Sequence, residues 1–113
     1  MATLTAIHRN SDETIEFQLY KADGTVEDVD DILDITVELT NKFSLEIIET
    51  YLLADVTLDA TTDMIYIFME GSVTDGKQTG IYKLHVEWSV VNLDFPDGTD
   101  DSVDDQDAFR LIA

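Results

Sequence analysis

The sequence predicts an all-β protein, a sandwich of seven or eight short strands that form one domain over residues 1–113. Three observations predict this class: apolar and polar residues alternate in several short segments, turn-forming residues separate those segments, and no long helical period appears. In the clearest segment, 79–91, every second residue is apolar: Tyr82, Leu84, Val86, Trp88 and Val90. This alternation predicts a central strand with one face toward the core, and the only tryptophan, Trp88, is its expected core anchor.

Two strands and a turn are predicted near the N-terminus. Thr3–His8 predicts a short first strand with Leu4 and Ala6 in one row. Thr14–Tyr20 predicts a second strand with three residues facing the core, namely Ile15, Phe17 and Leu19. The Asp23–Gly24 pair then predicts a turn, because glycine accepts a positive φ without steric cost.

The middle of the chain gives one clear strand and one ambiguous segment. After an acidic connection at Val26–Asp31, Leu33–Thr40 predicts a strand with four residues on its apolar face, namely Leu33, Ile35, Val37 and Leu39. Phe43–Leu53 fits a strand through Phe43, Leu45 and Ile47, or a helix face through Leu45, Ile48 and Leu52. The strand is favoured because the neighbouring segments are strands.

Three more strands complete the prediction, at Val56–Leu58, Met64–Met69 and Ala108–Ala113. The run Met64–Met69 is apolar throughout, which indicates either a core strand, the favoured interpretation, or a protein interface, where Met and aromatic residues are enriched. A length near the ~100 residues of immunoglobulin domains, together with a tryptophan on the central strand, favours an immunoglobulin-like sandwich.

The net charge restricts the classes of partner. Twenty-five acidic residues face six basic ones, which gives a formal charge of −19. Nucleic acids and anionic membranes bind through cationic patches, so this charge disfavours both and favours cationic partners. The sequence has no cysteine, and it shows neither a signal-peptide pattern nor an apolar run of the ~18 residues that span a membrane. We therefore expect synthesis and folding in a cytoplasm.

Seven aspartates fall within Asp94–Asp107, which we expect to be a loop that is mobile in the isolated protein. Lys or Arg side chains of a partner protein are the expected ordering agent, and four residues are the candidates for binding them: Asp100, Asp101, Asp104 and Asp105. Calcium is an alternative, because clustered carboxylates around a glycine turn can supply its oxygens. The calcium candidates are Asp97, Asp100, Asp101, Asp104 and Asp105, although their spacing does not follow the EF-hand pattern. A solvated hairpin loop is the third interpretation.

No other pattern predicts catalysis. The two histidines, His8 and His85, are expected to be surface side chains, and Asp28–Asp31 is a weaker metal candidate than the aspartate segment. The sequence contains neither a nucleophile elbow nor a glycine-rich phosphate loop. No carboxylate is marked by the pattern as buried, as a raised catalytic pKa would require. The prediction is a protein that is not an enzyme and has no cofactor and no metal.

Three segments in order resemble a known family. They are 8–19, with His-Arg-Asn-Ser-Asp before a strand; 21–39, with an Asp-Gly turn before Ile-Thr-Val-Glu-Leu; and 79–88, Thr-Gly-Ile-Tyr-Lys-Leu-His-Val-Glu-Trp. The chain resembles the immunoglobulin-like N-terminal domain of the upper baseplate proteins of tailed bacteriophages. That family has an Arg-Gly-Asp-like turn near the start, and Asn10 stands where it usually has glycine.

The resemblance implies a non-enzymatic structural component of a virion, either a capsid auxiliary or decoration protein or a tail or baseplate adaptor. Its expected partners are many copies of other virion proteins, capsid or tail subunits, and not nucleic acid or membrane. Its expected location is the virion, after synthesis in the host cytoplasm. Two other classes remain open from the residues: an acidic inhibitor that imitates nucleic acid, and a secreted or cell-surface adhesion module.

Overall fold

The computed structural model describes residues 4–113 and confirms the all-β class, with eight strands in two sheets that pack face to face. The strands are β1 (Ala6–His8), β2 (Glu13–Phe17), β3 (Ile32–Asn41), β4 (Ile47–Leu52), β5 (Val56–Asp59), β6 (Met64–Met69), β7 (Gly80–Val91) and β8 (Thr99–Ile112). Short 3₁₀ helices lie at Val29–Asp31, Leu53–Asp55 and Gly71–Thr74.

The strand order is that of an immunoglobulin-like sandwich. One sheet has the order β1-β8-β7-β3-β4, and the other has the order β2-β6-β5. Strand β1 runs parallel to β8, and the other pairings are antiparallel. The predicted sandwich is therefore confirmed, although β8 is longer than the predicted last strand, Ala108–Ala113, because it begins already at Thr99.

Strand β7 forms the centre of the core, as predicted. Its inner row, Tyr82, Leu84, Val86 and Trp88, is buried. In the antiparallel register with β3, Leu84 lies opposite Leu39, Val86 opposite Val37, and Trp88 opposite Ile35. Cross-strand apolar pairs of this kind stabilise a sheet and fix its register, because a slip by one residue would turn every side chain to the other face.

The second sheet covers this core with residues of β2 and β6. Ile15 and Phe17 of β2 are buried as predicted, together with Leu19, which follows that strand. On β6 the buried row is Ile65, Ile67 and Met69, which confirms that Met64–Met69 is a core strand. Its other face is only partly covered, and Phe68 is 64% exposed.

Glu27 is a buried carboxylate that the sequence pattern does not mark. It is 6% exposed, and its Oε1 accepts a hydrogen bond of 3.2 Å from the indole Nε1 of Trp88. Its Oε2 accepts a bond of 3.2 Å from the amide of Asp28. The sequence pattern could not mark this carboxylate as buried, because the partner that permits its burial lies 61 residues away in sequence.

On two strands, β1 and β3, the residue that faces the core is not the one that the apolar pattern predicts. On β1, Ile7 is buried and Ala6 is exposed, because parallel pairing sets Ile7 opposite the buried Leu111 of β8. Thr3, at the start of the predicted strand, lies outside the described residues. On β3, a register irregularity between Ile32 and Asp34 turns Ile32 inward and leaves Leu33 47% exposed.

The ambiguous segment contains a turn and a strand. The Asn41 side-chain carbonyl accepts hydrogen bonds from the amides of Phe43 (2.9 Å) and Ser44 (3.0 Å), which ends β3. Leu45 then adopts φ 64°, so the predicted strand residues Phe43 and Leu45 lie in an exposed turn. Strand β4 begins only at Ile47.

The predicted aspartate loop is wrong over most of its length. Only the turn near Gly98 separates β7 from β8, which begins at Thr99 and pairs with β7 from Thr99↔Val91 to Leu111↔Gly80. Phe109 and Leu111 occupy one buried row, as predicted for the C-terminal strand. The acidic half of β8 lacks an apolar alternation, so its strand structure comes from backbone pairing with β7, which the local sequence does not reveal.

Trp88→Ala should destabilise the fold by about 3–5 kcal/mol, as large-to-small substitutions in packed cores do. The free energy of unfolding from urea titration measures this loss. A change of less than about 0.5 kcal/mol, the range of ordinary surface substitutions, would contradict the core position of Trp88.

Glu27→Ala should cost about 1–3 kcal/mol, because it leaves the buried indole N–H of Trp88 without an acceptor. Glu27→Gln should cost less, since its side-chain carbonyl can still accept that bond. The same urea titrations compare the two variants. Equal losses would show that the carboxylate does not serve as the indole's acceptor.

Candidate functional site

Strand β8 has an edge that is open over its acidic half. Strand β1 pairs only with Arg110–Ile112, while β7 pairs with β8 from Thr99 onward. Within residues 4–113, the backbone of residues 99–108 therefore has a strand neighbour on one side only. At ~3.4 Å per residue this open edge is about 30 Å long, and its free N–H and C=O groups could pair with another extended chain.

The alternation of β8 distributes its aspartates over both faces of the sheet. Asp100 and Asp104 lie opposite Val90 and Val86 of the inner row of β7. Asp101 and Asp105 lie opposite Ser89 and His85 of the outer row. The four predicted partner-binding residues are thus placed along one strand, two on each face, and not on a flexible loop.

Cations of the protein neutralise only part of this edge. The carboxylate of Asp107 lies 2.8 Å from Lys42 Nζ, and that of Asp105 lies 3.7 Å from Lys83 Nζ. In the described part of the chain, no basic side chain lies within 4.0 Å of the other three candidates, Asp100, Asp101 and Asp104. Their charges are available to a partner.

His85 forms the centre of a cluster on the outer face of the larger sheet. Its Nδ1 lies 2.7 Å from Asp105 Oδ1, and its Nε2 lies 3.4 Å from Glu87 Oε1. The hydrogen bond to Asp105 is the main cause that raises the pKa of His85, and the same bond lowers the pKa of Asp105. His85 is therefore a surface side chain, as predicted, and its role here is to bind a carboxylate.

The calcium candidates are not brought together. The carboxylate of Asp97 accepts a hydrogen bond of 3.0 Å from the amide of Thr99, which shapes the turn and lowers the pKa of Asp97. The other four candidates are divided between the two faces of β8. Among residues 4–113, neither this segment nor Asp28–Asp31 contains a group of three acidic or histidine residues that could hold a metal ion.

Some of these contacts could not be found from the sequence. Lys42 and Lys83 lie near the β8 aspartates only because β3, β7 and β8 pair side by side in fixed registers. The other histidine, His8, is exposed and lies near the carbonyl of Ala113, with its Nδ1 at 3.2 Å. The acidic character of the segment is evident from the sequence, but the pairing of the strands determines which side chains are its neighbours.

No family model matches this sequence, and a search of curated proteins finds no match. In the part of the chain that the structure describes, no helix has the length and apolar character needed to cross a membrane.

The His85–Asp105 pair should make stability depend on pH near neutrality. Because the folded-state pKa of His85 lies above its usual 6.5, the charged pair contributes fully below about pH 6.5. That contribution is lost as the pH rises through the raised pKa. Urea titrations from pH 5.5 to 9 should show that the free energy of unfolding falls more steeply with rising pH in the wild type than in His85→Asn. The variant has no titrating group at position 85. Identical slopes would contradict the pairing.

Proposed function

We propose that this chain is a non-enzymatic structural component of a tailed-phage virion, a capsid auxiliary or decoration protein or a tail or baseplate adaptor. It acts through contacts with many copies of other virion proteins, and it is made in the host cytoplasm. The resemblance to upper baseplate domains suggests the virion. The observation that carries the binding role is the open acidic edge of β8.

The edge supports binding by strand addition. An extended segment of a partner can pair with the free backbone groups of residues 99–108, which provides affinity, while side chains provide specificity. Asp100, Asp101 and Asp104 carry charges without a basic neighbour among the described residues, so they favour a segment that contains Lys or Arg. On a particle that repeats the contact, weak individual contacts add.

One observation also favours the nucleic-acid imitator. Because the aspartates lie on a strand, their spacing is fixed: Asp100 and Asp104 on one face, and Asp101 and Asp105 on the other, are four residues and thus about 14 Å apart. Charges held at fixed positions on a strand suit a protein that competes with a phosphate backbone better than the charges of a mobile loop would. Binding to a DNA-binding protein, competed by DNA, would support this second candidate, and its absence at low salt would exclude it.

The virion proposal predicts that the protein is present in purified particles. Mass spectrometry of particles freed of unassembled protein should detect it in many copies, at a constant ratio to the capsid or tail subunits. Its absence from such particles would contradict the proposal, whatever the isolated protein binds.

The edge itself is tested by replacing Asp100, Asp101, Asp104 and Asp105 together by Asn. The backbone pairing with β7 remains, so the fold should be retained, and assembly onto particles that lack the protein should weaken. Wild-type binding should fall with added salt, because exposed charges are screened over ~10 Å at 0.1 M.

The matched control replaces four exposed acids outside the edge, Asp30, Asp31, Asp75 and Asp94, by Asn, with the same change in net charge. This variant should assemble as the wild type does. Equal weakening in both variants would show that total charge, and not the β8 edge, determines binding.

A further inference from the structure

A second acidic site lies away from β8, in a cavity of about 370 Å³ between β4 and the end of β6. Five residues of its lining carry the argument: Glu49 and Tyr51 of β4, Asp55 of the 3₁₀ helix after β4, Phe68 of β6, and Glu70, which follows β6. These residues come from two segments of the sequence, 49–55 and 68–70, and the packing of the two sheets brings the segments together.

The hydroxyl of Tyr51 points to a missing ligand. Tyr51 is 8% exposed, and within residues 4–113 its buried hydroxyl has no hydrogen-bond partner. Buried polar side-chain atoms are nearly always hydrogen-bonded, because an unpaired one has lost its water without compensation. Burial and then the charges of Glu49, Glu70 and Asp55 raise the pKa of Tyr51 to about 12. The neutral hydroxyl thus lies in the field of three carboxylates.

The three carboxylates have no cation of their own. None of Glu49, Asp55 and Glu70 forms an ion pair with a basic side chain of the described residues. Backbone amides hold two of them in place: Leu52 N donates to Asp55 Oδ2 at 2.9 Å, and Thr50 N donates to Glu49 Oε1 at 3.1 Å. Carboxylates that line one cavity without a counterion repel each other, and a bound cation would remove that repulsion.

The lining indicates which cation fits. The described residues contain no group of three that could hold a metal ion, so the carboxylates do not surround one point. A guanidinium group is planar, has five N–H donors directed in a fork, and stacks on aromatic faces. Such a group can donate to carboxylates that do not share one point, and the ring of Phe68, which is 64% exposed, offers a face for stacking.

We infer that this cavity binds the guanidinium group of an arginine side chain from a partner protein. The hydroxyl of Tyr51 accepts one guanidinium N–H, Glu49 and Glu70 accept others, and Phe68 covers the plane of the group. The inference rests on the proposed function in one respect only: it assumes that the arginine belongs to a partner protein. The cavity would be a second contact for such a partner, apart from the β8 edge.

The test is a titration of ¹⁵N-labelled isolated protein with arginine blocked at both ends, N-acetyl-arginine N-methylamide. Amide shifts should saturate and centre on residues 49–55 and 68–73. The lysine analogue should bind more weakly, and the citrulline analogue, which is nearly the same shape without charge, should not bind. Shifts spread evenly over all acidic surfaces, or equal shifts with lysine, would overturn the inference.

Two variants and a control test the named contacts. Glu70→Gln and Tyr51→Phe should each raise the dissociation constant, Glu70→Gln by about tenfold, the size expected when a hydrogen bond to a charged group is lost. Glu16→Gln makes the same chemical change at an exposed acid outside the cavity and should have no effect. If Glu70→Gln and Glu16→Gln behave alike, the cavity is not an arginine site.

The titration separates this inference from the virion proposal. It uses the isolated protein and a small probe, so a negative result leaves assembly through the β8 edge untouched. Conversely, absence of the protein from particles would not alter a saturating, arginine-specific titration.

Discussion

The structure depends on the pairing of β7 with a strand on each side. From Tyr82 to Val90 it pairs with β3, and along its whole length it pairs with β8. Because side chains alternate along a strand, the register that buries Leu84, Val86 and Trp88 also fixes the outer row with Lys83, His85 and Glu87. The same register carries over to β8 and decides which aspartates lie near a cation. Core packing and surface electrostatics are thus set by one constraint.

The predictable part of the fold is the part in which the apolar signal is local. Thr14–Tyr20 and Ile81–Val91 are evident from their own alternation, since one buried face needs a period of two, and Met64–Met69 is evident as an apolar run of strand length. The acidic half of β8 has the period but not the apolar residues, so its backbone pairing could not be predicted locally. The burial of Glu27 was equally hidden, because it requires the indole of Trp88 as donor.

For the candidate sites, too, the local sequence predicts the residue types, and only the folded structure shows their arrangement. Composition alone led to the prediction that Asp100, Asp101, Asp104 and Asp105 bind cationic partners, but it suggested a loop that could wrap an ion. A strand separates successive carboxylates onto opposite faces, which favours an extended partner over a single calcium ion. The cavity at Tyr51 had no signal in the sequence, because its acids come from different elements and each looks like an ordinary surface residue.

The charge of the β8 edge also selects among the chains that could pair with it. An open strand edge is a hazard, because identical edges of two copies can pair and aggregate. Here such pairing would bring aspartates of both copies together, and like charges opposed across strands are unfavourable. A partner segment that contains Lys or Arg is attracted by the same aspartate charges. Under the proposed function, the acidic edge therefore discriminates by repulsion as well as by attraction, because the same charges that disfavour pairing between two copies favour a basic partner.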